Sequence, residues 1–179
     1  MEVREAIGRR RSIRFLLPHK PVELDKIQRM LEAARIASHW GNVSTLRAIV
    51  IQRDKADKEV LAALPSPVAG YQIGLAPVII VWYLEAAACD QVGERLLELV
   101  DAGAIGYGPK RREEVEGTLV PLMQAATEVL KQPGMSEVDC GQGIAQATLM
   151  AVEMGLGTCC LGTGDPDRVR RKLGLPESC

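Results

Sequence analysis

Apolar positions recur at helical spacing through residues 23–37, where Leu24, Ile27, Leu31 and Ala34 fall on one face between charged neighbours. That period predicts an amphipathic helix. A shorter helix is expected at 2–9, and Pro18 and Pro21 then punctuate the chain. The pattern changes at 47–53, "RAIVIQR", a β-branched run with polar ends that reads as a strand. Asp54 is placed to cap a helix running through Leu64, ended by "PSPVAG" (65–70). "APVIIVWYL" (76–84) is the most strand-like segment, and being apolar on both faces it is expected to be central in its sheet.

Helical periodicity returns at 87–100. "DAGAIGYGPK" (101–110), with three glycines and a proline, predicts a loop. Residues 111–131 are helical in pattern, with Pro121 expected to kink the helix or start a new one. Ser136 with Asp139 has the form of a capping box for a long helix over 137–154, ended by Gly155. "TCCLG" (158–162) reads as a third strand. A last helix is bracketed by Asp165 as cap, Pro166 as first residue and Gly174 as stop. Helices dominate and separate the strands, which predicts an α+β fold, or a three-layer α/β/α arrangement, around a small sheet. No internal repeat or linker interrupts it, so the 179 residues are expected to form a single domain.

Composition narrows the function. Apolar residues make up 47% of the chain, enough for a core, but aromatics only 3%, so that core must be aliphatic. Twenty-two basic residues against 23 acidic ones lack the excess that a nucleic-acid or membrane-surface binder needs. The longest apolar run is too short to span a bilayer. No signal peptide is expected, and five cysteines without framework spacing fit reduced thiols, so the expected location is cytoplasmic.

Three stretches carry candidate chemistry. In "GRRRSIR" (8–14), Arg10, Arg11 and Arg14 surround Ser12, and guanidinium forks beside a hydroxyl match phosphate oxygens. A solvated basic helix end, favoured by the helix dipole, accounts for the same residues. "SHWGNVS" (38–44) sets Ser38, His39, Trp40 and Asn42 around Gly41: a stacking surface and an amide, or an ordinary helix-to-strand turn. "MGLGTCCLGTGD" (154–165) holds four glycines around Cys160, Leu161 and Thr163, so a flat ligand could approach the backbone closely. Neither a dinucleotide fingerprint nor a P-loop is present. Without any C-x-x-C and with only two histidines, no zinc site is expected. The cysteines read as buried and reduced, and no base is evident for Cys140.

Taken in order, these stretches resemble the FMN-dependent nitroreductase family. The resemblance rests on Arg10-Arg11-Ser12-Ile13-Arg14, on "MLEAARIA" (30–37), on the loop at 38–42, and on "MGLGTCCLG" with the later "LGLPE" (173–177). It implies a nitroreductase-like fold with a small mixed, mainly antiparallel sheet flanked by helices. It implies FMN with its phosphate on Arg10, Arg14 and Arg11, assisted by Ser12. Cys160, Leu161, Gly162 and Thr163 would run along the isoalloxazine edge. The flavin would lie at a homodimer interface, touched by Ser38, His39, Trp40 and Asn42 of the second subunit. NAD(P)H would donate hydride in a ping-pong cycle, and a small acceptor such as a nitroaromatic or a quinone would take it up. No catalytic acid or base is implied.

Three departures from the pattern stand out. Ser38 replaces a proline, His39 and Trp40 replace small residues, and "STL" (44–46) stands where the family has Q-P-W. Family members also continue past the position of Cys179 with a strand and an extension around the partner, a tail expected to be missing here. A specialised flavin-dependent dehydrogenase or dehalogenase, a flavin binder silenced by Trp40, and an interaction protein with solvated arginines are the competing readings.

Overall fold

The computed structural model describes residues 1–67, 70–132 and 134–179. The chain opens with α1 (Val3–Arg9) and α2 (Leu24–Arg35). A 3-10 turn at Trp40–Asn42 leads into β1 (Leu46–Gln52), followed by α3 (Lys58–Ala63), α4 (Gly70–Leu75) and β2 (Val78–Leu84). A second 3-10 turn (Ala86–Gln91) enters α5 (Val92–Asp101). The helical run α6 (Arg111–Glu114), a π-turn (Val115–Leu119), α7 (Val120–Ala125) and α8 (Thr127–Leu130) precedes the long α9 (Met135–Glu153) and the closing α10 (Pro166–Leu173).

The sheet explains the layers. β1 and β2 pair antiparallel, with Ile49 opposite Val81, Ile51 opposite Ile79 and Ala48 opposite Trp82. Successive side chains point to opposite faces. Leu46, Ile80 and Trp82 therefore pack with Met30 and Ala34 of α2 and Ala147 and Ala151 of α9. On the other face Ile49, Ile51, Ile79 and Val81 meet Val60 and Leu61 of α3, Leu64 and Val169 of α10. The result is helix, sheet, helix: the α+β, three-layer α/β/α architecture that the alternation of strands and helices predicts. A third apolar cluster, built on Val92, Leu96 and Val100 of α5 with Val115, Val120 and Leu130, lies beside it.

Helices α2 and α9 approach closely because Gly143 has no side chain. A Cβ there would stand 2.6 Å from Leu46 Cδ2 and 3.2 Å from the Ala34 carbonyl oxygen.

Several local expectations change. β2 is not flanked on both sides: among the described residues the sheet has two strands, and β2 is half-buried along its whole length. It is apolar on both faces because helices cover both, not because strands flank it. The third strand is reduced to one parallel bridge, Ser12 with Thr158. The α9 cap is Gly134, whose N–H donates to the Glu137 carboxylate. Ser136 and Asp139 are buried and bond elsewhere, Ser136 Oγ donating to the Leu130 carbonyl at 3.1 Å. α3 starts after Asp57 rather than Asp54, and a further helix, α4, begins at Gly70, the last residue of the expected break. The part of that break formed by Val68 and Ala69 is outside the described residues. Before Pro121 the helix widens into the π-turn, which accommodates the missing proline N–H. Asp165 accepts from the Arg168 N–H at 2.8 Å, and Gly155 and Gly174 end their helices at φ 74° and 64°.

Candidate functional site

α1 ends at Arg9, which pairs with Glu5 at 2.6 Å one turn back. Arg10 then leaves the helix in extended geometry. Ser12 bridges Thr158, and the Ile13 N–H donates to the Thr158 carbonyl at 2.8 Å. Gly157 permits this approach, since a Cβ there would lie 3.2 Å from three Ile13 side-chain atoms. One bridge thus brings two of the three candidate stretches together, 146 positions apart in sequence (158 − 12).

The electrostatics of that junction are one-sided. Arg10, Arg11, Ser12 and Arg14 are all exposed. Unlike Arg9, none of the three arginines has a carboxylate partner among the described residues. Arg11 donates to the Arg10 carbonyl at 2.7 Å and Arg14 to the Ser12 carbonyl at 3.4 Å, which leaves most of each fork unused. Arg10 also sits near enough to pull the Cys160 thiol downward, although desolvation outweighs it and leaves that thiol raised. Cys160, Leu161, Gly162 and Thr163 are exposed. They continue from the bridge along the wall of a groove of about 750 Å³. The groove is mainly apolar, lined by Ile13, Ile27, Met30 and the β2 residues, and Arg10, Arg11, Ser12 and Arg14 stay outside it.

The third stretch lies elsewhere. The Trp40 N–H donates to Asp139 Oδ2 at 2.7 Å, and the Trp40 side chain packs on the α5 cluster. Gly41 and Asn42 both take left-handed backbone, at φ 55° and 58°. A Cβ on Gly41 would press Val92 Cγ2 at 3.0 Å. Ser38 and Asn42 are exposed, while both ring nitrogens of His39 are shielded and lack a partner among the described residues. None of these residues lines the groove, so within one chain the 38–42 loop and the arginine junction are separate surfaces. Asp139 anchors that loop from α9, where it shares the buried face with Ser136, Cys140, Gly143 and Ala147; the sequence pattern does not mark it as a site residue, and its role shows only once the loop is placed against it.

The cysteines divide. Cys89 and Cys140 are buried, and burial pushes both thiols up. Cys159 is half-buried, and Cys160 and Cys179 are exposed, contrary to the expectation of uniformly buried cysteines. Among the described residues no group of three or more His, Cys, Asp or Glu side chains could hold a metal, and no helix is long and apolar enough to cross a membrane.

The three-layer α+β fold is shared by a set of solved structures. One, designated a nitroreductase and crystallised with FMN, from Exiguobacterium sibiricum, superposes with a TM-score of 0.79 at 23% identity, covering 99% of this chain and 82% of its own. An enone reductase of gut-bacterial fatty acid saturation gives 0.75 at 20% identity, over 98% and 82%. A protein designated an NAD(P)H:FMN oxidoreductase, from Staphylococcus epidermidis, gives 0.78 at 14%, over 98% and 80%. No curated protein sequence matches the chain significantly. The model of the Nitroreductase family matches residues 7–179, and the chain belongs to that family.

Proposed function

We propose that this chain is a flavin-dependent oxidoreductase that binds FMN and passes reducing equivalents from NAD(P)H to a small acceptor. The observation that carries the reading is the Ser12–Thr158 bridge: it sets three arginines without carboxylate partners beside a glycine-containing segment, which suits a ligand with an anionic end and a flat end. The residues fit FMN. Arg10, Arg14 and Arg11 would hold the phosphate, Ser12 would add a hydroxyl donor, and Cys160, Leu161, Gly162 and Thr163 would offer backbone to the ring edge. When bound, FMN supplies the hydride chemistry, and the protein contributes position and electrostatics. The phosphate belongs on the exposed arginine side rather than in the apolar groove, where no arginine of the cluster reaches.

The separation of the 38–42 loop from the junction supports a homodimer, in which Ser38, His39, Trp40 and Asn42 of one subunit complete the site of the other. Nitroaromatics or quinones are the proposed acceptors. The enone reductase among the similar structures makes an activated alkene a second acceptor class to try. The packing of Trp40 on the α5 cluster speaks against a side chain folded over the site to silence it. The test is a visible spectrum of the purified protein, followed by NADH or NADPH under anaerobic conditions. A yellow protein that bleaches, and recovers its colour with an acceptor, is expected. A colourless protein that does not take up FMN would overturn the reading.

A further inference from the structure

Cys159 and Cys160 are adjacent, both are free, and both line the groove beside β2. Burial pushes the Cys160 thiol up, and the neighbouring Cys159 and Arg10 also act on it. Beyond Thr158, no backbone hydrogen bond holds residues 159–163 among those the structure records. The backbone of the pair is held only through its neighbours, Thr158 on one side and the Thr163–Asp165 turn on the other. The other thiols are placed differently: Cys89 and Cys140 are buried, and Cys179 donates to the Pro176 carbonyl at 2.8 Å.

We infer that Cys159 and Cys160 form a dithiol site for a trivalent, thiophilic metalloid of the organoarsenical class. Two soft sulfurs on neighbouring residues chelate such an atom where a single thiol forms only an exchangeable adduct. The chemistry is a condensation without change of oxidation state. The two S–H protons leave with two oxygens of the hydrated arsenical as water, and two As–O bonds are replaced by two As–S bonds. Occupancy would rigidify the segment that the flavin reading places along the ring edge, but capture itself needs no flavin.

The experiment uses the reduced, flavin-free chain, phenylarsine oxide as probe, and intact-mass detection. One arsenical per chain should survive a wash with excess 2-mercaptoethanol and be removed by a dithiol. Cys159→Ser and Cys160→Ser should each abolish the retained adduct, whereas Cys179→Ser should keep it. Should the variants not fold, alkylation mapping of the wild-type chain reads the same point, with Cys159 and Cys160 protected together. No retained adduct, retention in Cys160→Ser, or protection that includes Cys179 would overturn the site. Because the readout is mass in the absence of FMN, this result is independent of whether the flavin reading stands.

Discussion

Arg9 and Arg10 are neighbours with different fates. Arg9 is spent on Glu5 within its own helix, while Arg10, Arg11 and Arg14 carry charge that nothing in the described chain neutralises. A phosphate would use that charge, and hydrogen bonds between charged groups contribute about 1.5–3 kcal/mol each. The double variant Arg10→Ala/Arg14→Ala should weaken FMN binding at least ~10-fold, on the basis that each 1.4 kcal/mol is a factor of about ten. Fluorescence titration of the apoprotein with FMN measures this; unchanged affinity would remove both residues from the site. Asp139 is the second residue with a defined task, holding the Trp40 N–H at 2.7 Å in a part-buried setting. Asp139→Ala should cost about 1–3 kcal/mol by leaving that donor unpaired, and Asp139→Asn should restore most of it because its amide oxygen still accepts. Urea unfolding of the two variants separates the cases.

Between elements, glycine position decides the outcome of otherwise identical changes. At Gly143 a new Cβ meets the Ala34 backbone oxygen, which cannot rotate away, so Gly143→Ala should destabilise by about 1–3 kcal/mol despite its gain in helix propensity. On the same helix Gly141 faces open space, and Gly141→Ala should stabilise by up to ~1 kcal/mol. Opposite shifts in the urea midpoint are expected. α3 and α10 are tied at the surface by Lys172 donating to Glu59, whose carboxyl is held below its ordinary value chiefly by that hydrogen bond. A lowered folded-state pKa means the tie is fully present above the ordinary glutamate range and is lost as pH falls through the lowered value. Any stability gap between the wild-type chain and Lys172→Met should therefore be small at neutral pH and close on acidification. A gap that widened in acid would contradict the pairing.

For the molecule as a whole, a ligand that binds only the folded state raises stability by mass action. At FMN 100-fold above its Kd the gain is about 2.7 kcal/mol, which corresponds to roughly 5–10 °C in Tm for a chain of this size. Thermal unfolding with and without FMN tests this, and sedimentation under the same conditions tests the homodimer. The layered architecture, the helices α2, α9 and α10 and the two strands were legible from 3.6- and 2-residue periods, because burial on one face or both is written locally. The arginine cluster and the glycine-rich segment were visible as unusual local compositions. Their meeting was not, since a single Ser12–Thr158 bridge depends on Gly157 admitting Ile13, a contact without any local period. Nor could local pattern reveal that Asp139 holds a loop 99 positions away instead of capping its own helix. Periodicity and side-chain chemistry by themselves determined which elements form and which residues could hold an anion. Only tertiary packing decided which of them meet, because long-range contacts depend on the space left by glycines and on buried donors finding acceptors.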